Sequence, residues 1–318
     1  MVCECFLKNL GYAALAWAAY KVLVSLYNII YPFFLSSSGN LLEKAGAKWA
    51  VVTGSTDGIG KAYAFELASK GFNLLLISRT ASKLEATKKE IAEKSNVEIK
   101  TFAFDFTAGN FDQYDYVIKE ITSLDVGVLV NNVGLSYEYP ERMHEIEGEL
   151  KRVADITVVN TLPPTLLTAA VLSQMVTRNK GIVINLASAA SYHTMTFWGA
   201  YSATKKYVQW LSAILRKEYV STGIIIQTVC PMLVATNMSK VKKTSFFTPD
   251  AQKFARAALN TVGVVNETTG YFSHQIQAEL LFSLPGWLLD KVIDKGSLAI
   301  RKAALRKKER EADTKKEK

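Results

Sequence analysis

Residues 49–60 read Trp49-Ala50-Val51-Val52-Thr53-Gly54-Ser55-Thr56-Asp57-Gly58-Ile59-Gly60, and the change of character within this stretch decides the architecture. Its first half is a short apolar run with β-branched residues, the composition of a buried strand. Its second half places glycines at 54, 58 and 60, just before a segment whose apolar residues recur at helical spacing. A strand that feeds a helix through a glycine-rich turn seats a pyrophosphate on helix N-terminal amides. Gly54 permits the tight turn, Gly58 lets the backbone approach the phosphates, and Gly60 lets helix and strand pack closely. Ser55, Thr56, Asp57 and Ile59 complete the candidate cradle.

Outward from this turn, short apolar strands alternate with amphipathic helices, the pattern of a parallel α/β sheet. Strands are expected at Trp49–Thr53, Asn73–Ser78, Lys100–Asp105, Val126–Asn131, Gly181–Ala187 and Ile224–Cys230, with a last one near Gly270–His274. Helices are expected between them, for example over 59–70 and 82–93. The fold class is α/β, a Rossmann-type doubly wound parallel sheet in one domain spanning residues 41–300.

The second strand ends in Ser78-Arg79. An acidic residue at this position bonds a ribose 2′-hydroxyl, whereas Ser78 repels no 2′-phosphate and Arg79 offers it a guanidinium. The expected cofactor is therefore NADP(H). Asp105, at the third strand's end, is placed to accept from the adenine amino group. Asn131-Asn132-Val133-Gly134, after the fourth, is placed to support the sheet and the adenosine half.

Tyr201 and Lys205 in Tyr201-Ser202-Ala203-Thr204-Lys205 lie four residues apart, on one helix face. A nearby ammonium stabilises a phenolate and brings a tyrosine toward the working pH range. Ser188 follows the fifth strand, thirteen residues before Tyr201, where its hydroxyl can polarise a carbonyl. Asn160 sits within a helical stretch, where a kinked backbone and its amide can hold a water beside Lys205.

Outside this region the chain has a different character. Residues 11–35 (GYAALAWAAYKVLVSLYNIIYPFFL) are long and apolar enough to cross a bilayer. Lys21 costs roughly 3 kcal/mol at the centre of an inserted helix. With Ser25 and Asn28 it forms one polar stripe, suited to an interfacial helix or to packing on protein. Residues 1–40 are read as a membrane anchor of open mode. Residues 279–289 (ELLFSLPGWLL) form a second apolar patch, interrupted by Pro285-Gly286, which either dips into an interface, meets a partner or covers the core.

The net charge is +9, and residues 301–318 carry nine basic against four acidic residues, so this tail holds much of it. An anionic membrane surface suits such a tail; no basic, aromatic-interleaved groove points to nucleic acid. Cys3, Cys5 and Cys230 build neither a disulfide framework nor a zinc set, and no metal is expected.

The glycine turn, Asn131-Asn132-Val133-Gly134, Asn160, Ser188 and the Tyr201–Lys205 segment occur in the order of the short-chain dehydrogenases/reductases, which residues 47–275 resemble. The resemblance implies Asn160, Ser188, Tyr201 and Lys205 as a catalytic tetrad, with Tyr201 and Lys205 also facing the cofactor. It further implies Thr236 as a contact to the nicotinamide carboxamide. Pro231-Met232 departs from the family's usual Pro-Gly.

Residues 49–80, 233–240 (LVATNMSK) and 268–275 (TTGYFSHQ) resemble the 17β-hydroxysteroid dehydrogenase type 12 group, the very-long-chain 3-oxoacyl-CoA reductases, and nematode steroid dehydrogenases within it. This implies reduction of a lipid ketone, either 3-oxoacyl-CoA in fatty-acid elongation or a 17-ketosteroid. It also implies an endoplasmic reticulum membrane location facing the cytosol, other elongation enzymes as partners, and a homodimer built on the helices of Asn160 and Tyr201. Lys315 and Lys316, fourth and third from the end, match a dilysine retrieval signal for the same compartment. Two other readings stay open: a catalytically silent NADP(H)-binding membrane scaffold, and a soluble carbonyl reductase.

Overall fold

The computed structural model describes residues 4–316 apart from residue 109. Cys3 lies outside the described residues, and so do the side chains of the lysine pair at 315 and 316.

Seven parallel strands form one sheet: β1 (Trp49–Thr53), β2 (Asn73–Ser78), β3 (Ile99–Ala103), β4 (Val126–Asn131), β5 (Gly181–Leu186), β6 (Ile224–Val229) and β7 (Glu267–Thr268). Their order is β3-β2-β1-β4-β5-β6-β7. The order reverses between β1 and β4, and the crevice beyond the carboxyl ends of strands at such a switch point is where ligands bind. Val126–Asn131 and Gly181–Leu186 are buried throughout, as parallel strands covered on both faces must be.

Helices α3 (Gly58–Ser69) and α8 (Ala251–Asn260) cover one face, burying Leu67, Phe254 and Leu259 against Leu74, Leu76 and Val130. Helices α5 (Phe111–Thr122) and α6 (Glu149–Arg178) cover the other, with Tyr114, Ile121 and Leu167 against Leu75, Leu129 and Val183. Helix α7 (Gly199–Glu218) packs beside α6, α4 (Ala81–Ala92) packs on β2 and β3, and the short α2 (Leu41–Ala45) meets β4 and β5.

The last strand is a correction. It pairs at Glu267–Thr268 rather than near Gly270–His274. Gly270 takes φ +78°, a left-handed conformation that breaks the strand, and helix α9 (Phe272–Phe282) begins two residues later.

The N-terminal helix α1 (Glu4–Ile30) runs into a π-helical segment, Tyr31–Leu35. Together they form the longest apolar span, of mean hydropathy 1.5, and none of its most apolar window is buried in the body. Helix α6 passes the same length and composition test, but half of its window is buried within the body. The polar stripe of α1 finds a partner: Ser25 Oγ donates to Glu279 Oε2 (2.7 Å) and Asn28 Nδ2 to Glu279 Oε1 (3.1 Å). At its foot, Phe34 meets Phe272 edge-on at 4.7 Å.

After Pro285, helix α10 (Gly286–Lys316) runs unbroken through residue 301, where the composition turns basic. Within the second apolar patch, Leu289 is buried while Leu280 and Trp287 are exposed.

Candidate active site

The glycine turn folds as its residues require. Gly54 and Gly58 have φ of +65° and +52°, conformations that side chains resist. A methyl group on Gly60 would lie 2.3 Å from Gly54 O and 2.3 Å from Asn132 Nδ2, so helix and turn can close only around a glycine. One on Gly58 would lie 3.1 Å from Thr236 Cγ2, which seats Thr236 against the turn. This narrow, amide-lined cradle at a helix start fits a dinucleotide pyrophosphate.

Asp57 accepts from the Gly58 amide (2.8 Å) and from Asn237 Nδ2 (2.9 Å), tying the turn to the segment after β6. Ser55 is buried beneath the turn, its amide donating to Ile77 O, and Ile59 packs on the core. The hydroxyls of Thr56 and Ser78 lie 2.9 Å apart, joining the turn to the end of β2. Arg79 beside them is exposed and pairs with no carboxylate among the described residues. Asp105 is exposed, and its carboxylate accepts from the Thr107 amide and hydroxyl (both 3.0 Å). Asn131 is buried in the sheet, donating to Thr168 Oγ1 (2.9 Å) and Asn185 Oδ1 (2.8 Å), so its amide ties β4 to β5 and α6.

Its neighbour Asn132 holds the turn. Its amide donates to Thr53 O (2.9 Å) and Gly54 O (3.2 Å), and its own N–H donates to Thr53 Oγ1 (3.0 Å). The doubled asparagine was the available signal.

Asn160, Ser188, Tyr201 and Lys205 converge beside this cradle. Ser188 follows β5, and its hydroxyl reaches the phenol of half-buried Tyr201, pulling the Tyr201 pKa down. Burial outweighs that pull and leaves Tyr201 above the ordinary tyrosine value. Lys205 is buried; its ammonium donates to Leu186 O (2.9 Å) and lies 5.9 Å from the Tyr201 ring centre. Burial lowers its pKa to about 8. Desolvation is the largest influence at both residues.

Asn160 accepts from the Leu135 amide (2.8 Å) and donates to Leu135 O (2.9 Å) and Thr204 Oγ1 (3.0 Å). Its side chain therefore clamps the strand-end loop to the Tyr201 helix rather than pointing to solvent. Its main chain is a different matter. Helix α6 contains Pro163 and Pro164, and Pro164 has no N–H to offer the Asn160 carbonyl four residues earlier. That carbonyl lacks its usual intrahelical donor, while the Asn160 side-chain Oδ1 and the Lys205 ammonium both lie against Gly134. The prolines supply the break in the helix ladder that a kinked backbone was expected to supply.

Residues 48–245 match the sequence pattern of the short chain dehydrogenases. The chain belongs to that family. Among curated short-chain dehydrogenases, it is 56% identical to the very-long-chain 3-oxoacyl-CoA reductase of Caenorhabditis elegans, over 98% of this chain and 99% of that one. It is 39% identical to the very-long-chain 3-oxoacyl-CoA reductase of Mus musculus, over 96% and 97% of the two chains. Among solved structures, a short-chain dehydrogenase from Sphingobium yanoikuyae in complex with NADPH superposes with a TM-score of 0.60 at 25% identity, covering 66% of this chain and 82% of that one.

Beside Tyr201, residues 137–147 meet the segment 231–250 through Glu138 and Lys240. Tyr137 Oη accepts from the Ala200 amide (2.9 Å), next to Tyr201. His274 is buried and supports the Pro231-Met232 departure. Its Nδ1 accepts from the Met232 amide (3.3 Å), and its Nε2 lies 3.1 Å from Leu233 O. Desolvation lowers its pKa to about 4, so it holds these bonds as a neutral ring. Helix α10 closes the other side: Arg301 Nε donates to buried Glu141 (2.7 Å), and Lys308 pairs with Glu147 (2.5 Å).

Proposed function

We propose that this chain is an NADPH-dependent reductase of 3-oxoacyl-CoA, forming the 3-hydroxyacyl-CoA during very-long-chain fatty-acid elongation. The observation that carries the reading is the hydroxyl pair of Ser188 and Tyr201 above buried Lys205, in a chain 56% identical to such a reductase over nearly its whole length. Bound NADPH would supply the hydride; the Gly54–Gly60 turn, Ser78, Arg79, Asp105 and Thr236 would hold it over the sheet that Asn131 ties together, with Tyr201 and Lys205 toward its nicotinamide ribose. Ser188 and Tyr201 bond the ketone oxygen, and Tyr201, kept protonated by burial, donates its proton as the alkoxide forms. Lys205, with a pKa near 8, gains and loses a proton close to neutrality and returns one to the site. The Asn160 carbonyl, lacking its usual intrahelical donor, receives the water that leads there.

Helix α1 attaches the enzyme to the endoplasmic reticulum membrane with the body in the cytosol, a reading supported by its exposed apolar span. Exposed Tyr207, Trp210 and Ile214 on α7 support a homodimer.

The test is NADPH oxidation by detergent-solubilised protein with a long-chain 3-oxoacyl-CoA and with estrone, wild type against Tyr201→Phe. Turnover of the CoA ester, reduced about 100-fold or more by the substitution, is expected. Turnover that survives in Tyr201→Phe sinks the assignment, and a preference for estrone makes the protein a steroid reductase.

A further inference from the structure

A cleft of about 910 Å³ opens where Gly58 and Thr236 meet, between α3, the segment after β6 and the start of α8, with Lys307 of α10 on its rim. Lys61, Lys94, Lys240, Lys242 and Lys307 line it, against three carboxylates. Those carboxylates are already engaged. Asp57 caps Gly58 and accepts from Asn237, Asp250 caps α8 through the Lys253 amide, and Glu90 pairs with Lys61 at 2.8 Å. The lysines are less committed. Lys242 pairs with no carboxylate among the described residues, and Lys94 lies over the Phe65 ring at 5.2 Å. Lys240 and Lys307 meet Glu138 and Glu311 in exposed pairs, which contribute little and exchange readily. Lys240 also holds a left-handed backbone, φ +57°, uncommon for a side chain of its size.

We propose that this cleft binds the pyrophosphate and ribose phosphate of the substrate's coenzyme A; the proposal rests on the 3-oxoacyl-CoA reading above. Asp57, Gly58 and Thr236, at the edge of the cofactor cradle, border the cleft, and its lysines come from α3, residues 94 and 240–242, and α10. Its rim leads toward the chemistry. Lys240 Nζ donates to Glu138 O (3.2 Å), and Glu138 adjoins Tyr137, which holds the Ala200 amide beside Tyr201. A thioester with its ketone at Tyr201 and its phosphates among the ammonium groups would use both ends of this path. A steroid has no group for the lysines to bind.

The experiment compares full-length wild type in detergent with the triple variant Lys240→Ala, Lys242→Ala, Lys307→Ala. Substrates are a long-chain 3-oxoacyl-CoA and the same acyl group on pantetheine, which lacks the phosphates. The wild type is expected to show a KM about tenfold or more lower for the CoA ester, and the triple variant to bring the two values together. A wild-type ratio near one, or a ratio the substitutions leave unmoved, overturns the proposal. A parallel rise in the KM for NADPH also overturns it by assigning the lysines to the cofactor. Calorimetry with coenzyme A alone separates this site from the activity: binding lost in the triple variant supports the site even where no thioester is reduced. Loss of binding to phosphatidylserine vesicles with coenzyme A binding retained assigns the lysines to a lipid headgroup and overturns the proposal.

Discussion

On the strand-end side of Tyr201, the site is held by buried and half-buried groups bonded to main chain. Asn132 holds the glycine turn, Asn160 holds Leu135, and Lys205 holds Leu186 O. On the side made by residues 137–147, 231–250 and α10, the outer ties are exposed ion pairs, such as Lys240 with Glu138 and Lys308 with Glu147, around the buried Glu141 and His274. On the first side most polar groups are paired within the chain, and breaking those bonds leaves buried donors unpaired. The second exchanges partners with water at little cost, as a wall that must open for a large substrate requires.

Three substitutions probe that contrast. Gly60→Ala should have the largest effect, because its methyl group meets the backbone oxygen of Gly54 at 2.3 Å and nothing flexible can yield. A loss of about 100-fold in NADPH affinity is expected by fluorescence titration; near-normal binding would mean that the rigid side is softer than its bonding suggests. Glu141→Gln comes next. Burial pushes the Glu141 carboxyl up, but Arg301 and the Arg142 amide outweigh it and hold it below the usual carboxylate range. Weakening this tie should raise the KM for the ketone about tenfold with kcat within about twofold, since a buried charge pair is loosened while Tyr201 is untouched. An equal fall in kcat would show that the two sides are coupled.

The smallest effect is a pH response at His274. Its folded pKa of about 4 lies below the ordinary value of 6.5, so the neutral ring is favoured by folding. That contribution is complete above pH 6.5 and is lost as the pH falls from there toward 4, where the unfolded chain takes up the proton first. The melting temperature should drop by about 5 °C between pH 7 and pH 5, and His274→Gln should flatten the slope. An unchanged slope would remove His274 from the support of this wall.

What was legible in the sequence follows the same division. The glycine turn, Ser188 and the Tyr201–Lys205 pair are read from spacing along one segment, and the fold places them as their local periodicity requires. Residues 268–275 were harder: their aromatic and β-branched content reads as a strand, yet Gly270 in a left-handed conformation starts a helix instead. Pro164 escaped because its effect falls on a carbonyl one helical turn back, and the bonds by which Asn132 holds a turn about 80 positions earlier are invisible along the chain. Glu279 was hidden for the same reason, since its partners Ser25 and Asn28 are some 250 positions away.

That last contact has a mechanical side. Glu279 receives hydrogen bonds from Ser25, Asn28 and Gln275, close to the inner end of α1, and the aromatic rings at 34 and 272 brace the same joint. About 21 residues of helix extend beyond it toward Glu4, a lever arm of about 32 Å. A clamped lever passes on torque as well as tension: whatever turns or tilts the outer end also sets the bearing of the sheet, and with it the direction in which the mouth of the site faces.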